Sequence, residues 1–166
     1  AYARNKQGIG ATMVTSGPGA QNLITGIACS WFDSVPIIHI CGQVNKFELS
    51  SSNKSTKKVR QIGFQETDIV SMVKPITKFS YQLKNSNEIR YVLEKAFYIA
   101  NEGRPGPVLI DIPMDVQRIQ IEAKYFQSEK IEHLVIDTIV LEKLMHDIKQ
   151  AKRPLILAGR GIKASQ

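Results

Sequence analysis

The sequence predicts an α/β protein, a three-layer αβα sandwich with a parallel sheet between two layers of helices. Three short runs, at residues 9–15, 35–41 and 108–112, lack polar alternation, as do strands that are covered on both faces. Helical patterns lie between them, at 18–32 and from 89 to about 100, and such alternation of strand and helix is typical of parallel sheets. The 166 residues, 43% of them hydrophobic, suffice for one sizeable core.

Glycine and proline delimit the first elements. Residues 1–8 are typical of the last turn of a helix, which Gly8 can end in a left-handed conformation. After the first strand, Ser-Gly-Pro-Gly places Pro18 at the first position of the next helix. One face of that helix carries apolar residues at intervals of four, namely Leu23, Ile27 and Trp31.

The middle of the chain contains a further strand and a capped helix. We expect the strand to run from Pro75 to Tyr81. Asn85 and Glu88 have the spacing of a capping box and predict the start of the helix that follows. Gly103 is expected to end that helix, and Pro113 to close the strand at 108–112.

A polar stretch divides the chain. We expect residues 1–121 to form one domain, 122–137 a linker, and 138–166 the start of a second domain with a strand at 155–159. A helix in that second part has an apolar stripe formed by Leu141, Leu144, Met145 and Ile148. No N-cap precedes the first helix, and little follows the last strand, so we expect the chain to be a piece of a longer protein.

One Ser-rich loop holds most of the net charge of +7. Residues 45–60 have one acidic side chain, Glu48, and five basic ones, which are Lys46, Lys54, Lys57, Lys58 and Arg60. No nucleic-acid-binding motif accompanies this charge, so we expect no nucleic-acid partner.

The two cysteines, Cys29 and Cys41, lie in apolar stretches. Two thiols exclude a disulfide framework and a four-thiolate metal site, and buried reduced thiols favour a cytoplasmic location. No apolar run approaches the ~18–20 residues that cross a bilayer, so we expect no membrane partner.

The turn at residues 15–22 joins the first strand to the next helix, where free backbone N–H groups favour a ligand with lone pairs. A dinucleotide fingerprint is incomplete, because Asn22 replaces its third glycine and no acidic residue follows the second strand at Cys41-Gly42-Gln43. A Gly/Pro turn for tight strand–helix packing explains the same residues. The residues alone leave both interpretations open.

Seven collinear motifs make a more specific pattern. They are AYAR (1–4), TSGPGAQNL (15–23), DSVPII (33–38), GQV (42–44), GFQE (63–66), KPITK (74–78) and GRPGPVLIDIPMDVQ (103–117). Together they resemble the N-terminal, pyrimidine-binding domain of the thiamine-diphosphate enzymes, and within them the acetolactate synthase large (catalytic) subunits. The resemblance covers residues 1–117 and resumes at 152–161, which look like the opening of that family's central domain.

The resemblance implies roles for six residues. The family's Gly-Pro-Gly-Ala-x-Asn turn contacts the aminopyrimidine ring of thiamine diphosphate, so cofactor contacts are expected at Gly17, Pro18, Gly19 and Asn22. Phe64 and Gln65 match the pair that lines the substrate side of the catalytic site. The family's catalytic glutamate has no counterpart here, since it lies just before the position that matches Ala1, and Glu66 is expected to be structural.

The resemblance also implies a reaction and its participants. The enzyme would decarboxylate pyruvate or another 2-oxo acid and ligate the enamine to a second carbonyl substrate, as in branched-chain amino acid biosynthesis. Thiamine diphosphate would be held with Mg²⁺ bound by a C-terminal domain outside this chain, and FAD is compatible with the family. The active site would lie between the subunits of a homodimer or homotetramer. The alternatives are another thiamine-diphosphate 2-oxo acid decarboxylase or carboligase, and a silent binding or dimerisation module.

One loop departs from the family pattern. In typical acetolactate synthases a short, Pro-led loop joins Gly-Gln-Val to Phe-Gln-Glu, usually with Asp-Ala before the Phe. Here residues 45–63 form a basic loop of 19 residues, in which Ile62-Gly63 replaces Asp-Ala. Structural roles are expected for His39 in its apolar strand, for Asp111 and Asp115, and for Arg104 in an ion pair.

Overall fold

The computed structural model describes residues 1–6, 8–52, 59–122, 137–159 and 161–164. The chain divides into two compact units, Ala1–Gln127 and Ser128–Gln166. The predicted linker at 122–137 lies almost entirely outside the described residues. The lysines Lys54, Lys57 and Lys58 lie wholly outside them. The division into domains at 1–121 and 138–166 therefore stays a prediction.

The first unit is built from four strands and five helices in the part of the chain that the structure describes. The strands are β1 (Gly10–Val14), β2 (Ile37–Gln43), β3 (Phe79–Gln82) and β4 (Pro107–Pro113). The helices are α1 (Tyr2–Lys6), α2 (Pro18–Phe32), α3 (Ile69–Val73), α4 (Ile89–Asn101) and α5 (Met114–Gln117). The starts of α2 and α4 agree with the sequence prediction, since Pro18 is the first helical residue of α2 and a capping box of Asn85 and Glu88 precedes α4.

All four strands are parallel, in the order β1-β2-β4-β3. Strand β4 is central, and six of its seven residues are buried, as expected of a strand flanked and covered on both sides. Its side chains alternate between two cores. Val108 and Ile110 pack with α4 on one face, whereas Leu109 packs with α2 and α3 on the other. The predicted three-layer αβα arrangement is confirmed.

The amide of Gly8 donates to the Ala3 carbonyl oxygen at 3.4 Å, which agrees with a helix that ends at this point. The bounds expected for the strand at 75–81 are wrong. The further strand begins only at Phe79, since Lys74–Ile76 form a 3-10 turn around Pro75.

The second unit contains α6 (Thr138–Gln150) and α7 (Gly161–Ala164). The strand predicted at 155–159 is absent, and Leu155 and Leu157 are more than nine-tenths exposed. A strand exists only by pairing with a neighbour, and no strand lies within the described residues of this unit. Among the helices of both units, as far as the structure describes them, none is long and apolar enough to cross a membrane.

Candidate active site

A cleft of about 850 Å³ opens at the carboxyl ends of β1, β2 and β4. Strand ends and following loops form its walls, at residues 13–16, 40–44, Glu48, Phe64, Gln65, Ile112, Met114 and Gln117. Ligand sites in parallel α/β sheets lie at this edge, because the loops that follow the strands converge there. We therefore take this cleft as the candidate active site.

Phe64 and Gln65, the pair predicted on the substrate side, both line the cleft. The Phe64 ring is 83% exposed and presents an apolar surface to it. Gln65 has a φ of 61°, in the left-handed region that residues with a side chain rarely adopt. Such backbone costs about 1–3 kcal/mol and is concentrated at functional sites, so neighbouring contacts must hold Gln65 in place.

Gly17 supplies one of those contacts. It is the N-cap residue of α2, with a φ of 60°, and its Cα faces Gln65. A Cβ added to Gly17 would lie 2.7 Å from the Gln65 Cβ and 2.8 Å from the Gln65 carbonyl oxygen. The glycine therefore lets the turn before α2 touch the loop that carries Gln65.

Glu66 fixes the same loop from its other side. Its Oε1 accepts hydrogen bonds from the Ser50 amide and hydroxyl, each at 2.6 Å, and its Oε2 accepts one from the Ile62 amide at 2.9 Å. Burial by itself would raise the pKa of the Glu66 carboxyl, but these hydrogen bonds outweigh burial and lower that pKa. This is a structural role, as the sequence predicts for Glu66.

A buried carboxyl group on β4 is bonded to the cleft residue Gln43. Asp111 is fully buried, and its Oδ2 accepts hydrogen bonds from the amide groups of Gln43 at 3.0 Å and Gln82 at 2.8 Å. Burial raises the pKa of Asp111 to about 6, against the effect of those two hydrogen bonds. Burial, with a contribution from the Asp111 charge, raises the pKa of the neighbouring Cys41 thiol to about 12, so Cys41 stays protonated.

The predicted cofactor-binding turn lies beside the cleft, but its residues differ in placement. Thr15 and Ser16 line the cleft, whereas Pro18 and Asn22 are exposed on α2 outside the lining. Gly19 is half-buried, and a Cβ there would lie 2.8 Å from the Thr15 Cγ2, so this glycine permits tight packing of strand and helix. The N-cap residue of α2, Gly17, has no side chain that could cap the helix, which leaves the amides of its first turn available to a ligand.

Sequence reasoning missed several residues of the cleft wall, namely Met13, Gln43, Met114 and Gln117. The rule that ligands bind beyond the carboxyl ends of parallel strands could have found them, because Met13 and Gln43 lie in the last residues of β1 and β2 and Met114 follows β4 directly.

Three other residues with expected structural roles lie outside the cleft lining. His39 is buried, and its Nδ1 lies 2.7 Å from the Thr12 hydroxyl. Its Nε2 has no hydrogen-bond partner among the described residues, so only one of the two ring nitrogens is paired there. Arg104 donates to the Ser34 hydroxyl at 2.7 Å, where we expected an ion pair. Asp115 accepts from the Lys46 amide at 3.1 Å, in keeping with a structural role.

The fold and the cleft define the class of this protein: an αβα domain with its ligand site at the carboxyl edge of a parallel sheet, next to a Gly-Pro-Gly turn. Residues 1–72 match the family described as "Thiamine pyrophosphate enzyme, N-terminal TPP binding domain". Over those residues the chain is similar to the thiamine-diphosphate (thiamine pyrophosphate) enzymes, and over nearly its whole length it is similar to acetolactate synthase large subunits.

Three relatives illustrate that similarity. The acetolactate synthase large subunit of Lactococcus lactis subsp. lactis (strain IL1403) is 36% identical over 99% of this chain and 28% of its own length. The probable acetolactate synthase large subunit of Methanocaldococcus jannaschii is 39% identical over 97% of this chain and 27% of its own length. Acetolactate synthase 1, chloroplastic, of Oryza sativa subsp. japonica is 35% identical over 99% and 25%. The chain thus spans about a quarter of the length of these relatives.

Proposed function

We propose that this chain is part of a thiamine-diphosphate-dependent carboligase of the acetolactate synthase type. The enzyme decarboxylates pyruvate, or another 2-oxo acid, and joins the remaining fragment to a second carbonyl compound. The observation that carries this proposal is the contact of Gly17 with Gln65 at the edge of the cleft. It brings the turn expected to bind the cofactor against the loop expected to face the substrate.

The residues present fit the pyrimidine end of the cofactor. An uncapped helix start offers backbone donors, Thr15 and Ser16 offer hydroxyls, and the glycines at 17 and 19 keep Cβ atoms out of a tightly packed turn. We propose that Gly17, Pro18, Gly19 and Asn22 surround the ring. When bound, thiamine diphosphate supplies the electron sink for decarboxylation, a chemistry that side chains do not provide.

The chain's own residues position the substrate and exclude water. Phe64 presents its exposed ring at the mouth of the cleft, where an apolar wall would strengthen polar contacts made inside. The Gln65 amide, with one acceptor and two donors, can bind the carboxylate or carbonyl oxygen of a 2-oxo acid. We propose that both act on the substrate side and that neither replaces the family's catalytic glutamate.

A second subunit would complete the site. Met13 and Phe64 at the cleft are each more than three-quarters exposed, and Phe47, which precedes the cleft residue Glu48 in the chain, is three-quarters exposed. Such exposure of large apolar side chains is typical of an interaction surface. We propose that the partner subunit of a homodimer or homotetramer covers them. Mg²⁺ and the diphosphate would bind outside this chain, as the resemblance to the family implies.

The basic loop keeps a second candidate reaction open. Residues 45–63 separate β2 from Phe64 by a longer and more basic segment than the family pattern has. Because this loop borders the cleft through Glu48, it bears on the choice of substrate. The second candidate is therefore another thiamine-diphosphate 2-oxo acid decarboxylase or carboligase with a different acceptor.

The two candidates are separated by product analysis. The full protein that carries this chain is incubated with pyruvate, thiamine diphosphate and Mg²⁺, with and without an added aldehyde. Acetolactate as the main product, dependent on thiamine diphosphate, supports the first candidate. Free aldehyde or a mixed acyloin as the main product supports the second, and no cofactor-dependent consumption of any 2-oxo acid contradicts both.

A further inference from the structure

A buried amide ties the Gln65 loop to the sheet. The Gln43 side chain is 5% exposed, and its Nε2 donates to the Thr67 carbonyl oxygen at 2.8 Å and to the Asp111 Oδ2 at 3.0 Å. Thr67 follows Gln65 by two residues, so this one group connects the β2 and β4 strands with the segment that lines the cleft.

Asp111 holds that amide in a defined orientation. Its Oδ2 accepts from Gln43 on β2 and from Gln82 on β3, the two strands that flank β4. A carboxylate acceptor makes such bonds stronger than a neutral one does. The Gln43 Oε1 accepts from the Val44 amide at 3.0 Å, which fixes the amide so that its Nε2 faces both Thr67 and Asp111.

The unusual backbone conformation of Gln65 explains why the hydrogen bond from Gln43 to Thr67 matters. A residue with a φ of 61° returns to a relaxed conformation unless its surroundings prevent it. The hydrogen bonds of Glu66 to Ser50 and Ile62 connect parts of the loop with one another. The hydrogen bond from Gln43 to Thr67 instead connects the loop with the sheet that forms the cleft.

We propose that Gln43, oriented by Asp111, is a positioning residue that fixes Gln65 over the cleft. This inference rests on the proposed function, because it assigns Gln43 an effect on turnover through the substrate-facing Gln65. Gln43 contributes to the cleft wall, but its Nε2 and Oε1 are both bonded within the protein, so no contact with the substrate is assigned to it. No proton transfer is assigned to Asp111.

The chain offers a matched control. Gln43→Met and Gln82→Met each remove one amide bond to the same Asp111 oxygen and keep a side chain of similar length. Only Gln43 also bonds to Thr67. We would measure hydrogen exchange of residues 62–67 and steady-state kinetics in the full protein that carries this chain.

We expect Gln43→Met to speed amide exchange at 62–67 and to lower kcat on the order of 10- to 100-fold, as expected when a group that positions the substrate is misplaced. The Kd for thiamine diphosphate should stay at the wild-type value, since Gln65 faces the substrate. Gln82→Met should leave exchange at 62–67 and kcat within about twofold of wild type, because the loop keeps its tie to the sheet.

Wild-type exchange at 62–67 in Gln43→Met would overturn the inference, as would equal effects of the two variants. If the wild-type protein shows no cofactor-dependent turnover, the proposed function fails, but the exchange comparison still decides whether Gln43 holds the loop. If Gln43→Met does not fold, Asp111→Asn keeps the side chain's shape and should speed exchange in the same segment. Unchanged exchange in that variant would also overturn the inference.

Discussion

Gly17 and Gln65 meet backbone to backbone, and both have a φ close to +60°. One residue opens α2 and the other lies in the loop that lines the cleft, so the contact couples the two segments. Only the first of them is a glycine. The strained conformation therefore falls on Gln65, at a position where a glycine would adopt the same φ without strain.

The first prediction concerns that contact. Gly17→Ala should lower the free energy of unfolding by about 1–3 kcal/mol, because alanine disfavours positive φ and its Cβ would overlap Gln65. Gly26→Ala is the matched control in the same helix. No atom lies within 4 Å of a Cβ at Gly26, so this change should stabilise the protein by about 0.5–1 kcal/mol. Urea denaturation measures both, and equal effects would contradict the packing argument.

The second prediction tests Gln65 in the complete enzyme. Gln65→Ala should lower kcat and leave the Kd for thiamine diphosphate nearly unchanged, since the lost contact is made to the substrate in the transition state. Gln65→Gly should lose as much activity but be more stable than Gln65→Ala by about 1 kcal/mol, because glycine adopts positive φ without strain. Weakened cofactor binding at wild-type turnover would refute the substrate-side assignment.

Local signals predicted most of the fold. Pro18 at the start of α2 and the capping box of Asn85 and Glu88 act within a few residues, so the sequence shows them directly. The apolar runs that became β2 and β4 needed only the rule for covered strands. The strand expected at 155–159 shows the limit, because strand formation depends on a neighbour that a local pattern does not reveal.

The site was less predictable, because its contacts are distant in sequence. Gln43 and Asp111 are 68 residues apart, and nothing in either segment indicates that an amide of one reaches the carboxylate of the other. The left-handed φ of Gln65 was equally hidden, since positive φ is expected at glycine. The family resemblance indicated Phe64 and Gln65 as candidates. The structure places both at the cleft and shows the contact of Gln65 with Gly17.

The third prediction uses two buried groups with opposite pH dependence. The pKa of Asp111 is raised to about 6 by burial, so the folded state binds the extra proton and stability falls as pH rises from about 4 to 6. The pKa of His39 is lowered to about 4 by burial, so stability rises with pH from about 4 to 6.5. The two trends oppose each other in the wild type.

Single variants should separate these trends. Asp111→Asn leaves the His39 effect, so its stability should increase between pH 4.5 and 6.5. His39→Asn leaves the Asp111 effect, so its stability should decrease over the same range. Each difference from wild type should reach at most about 3 kcal/mol, at about 1.4 kcal/mol per pKa unit. Urea denaturation at several pH values measures this, and parallel profiles for the two variants would contradict it.

The fourth prediction concerns the 166-residue chain by itself. We expect no acetolactate from pyruvate when the purified chain is supplied with thiamine diphosphate and Mg²⁺. None of its residues matches the family's catalytic glutamate, and the sequence contains no Gly-Asp-Gly motif for the diphosphate and metal. Colorimetric detection of acetolactate, with the full protein as the positive control, provides the measurement. Product from the chain alone would show that its own residues suffice.

The fifth prediction concerns the basic loop, whose Lys54, Lys57 and Lys58 lie outside the described residues. If these charges guide anionic 2-oxo acids to the cleft, replacing all three with glutamine in the full enzyme should raise the KM for substrate and leave kcat nearly unchanged. The rise should shrink as ionic strength increases, because salt screens exposed charges over ~8–10 Å at ordinary concentrations.

A triple replacement of Lys143, Lys149 and Lys152, in the other unit, controls for the change in net charge. Steady-state kinetics at low and high salt provide the measurement, and an unchanged KM at low salt would leave the loop without a role in steering.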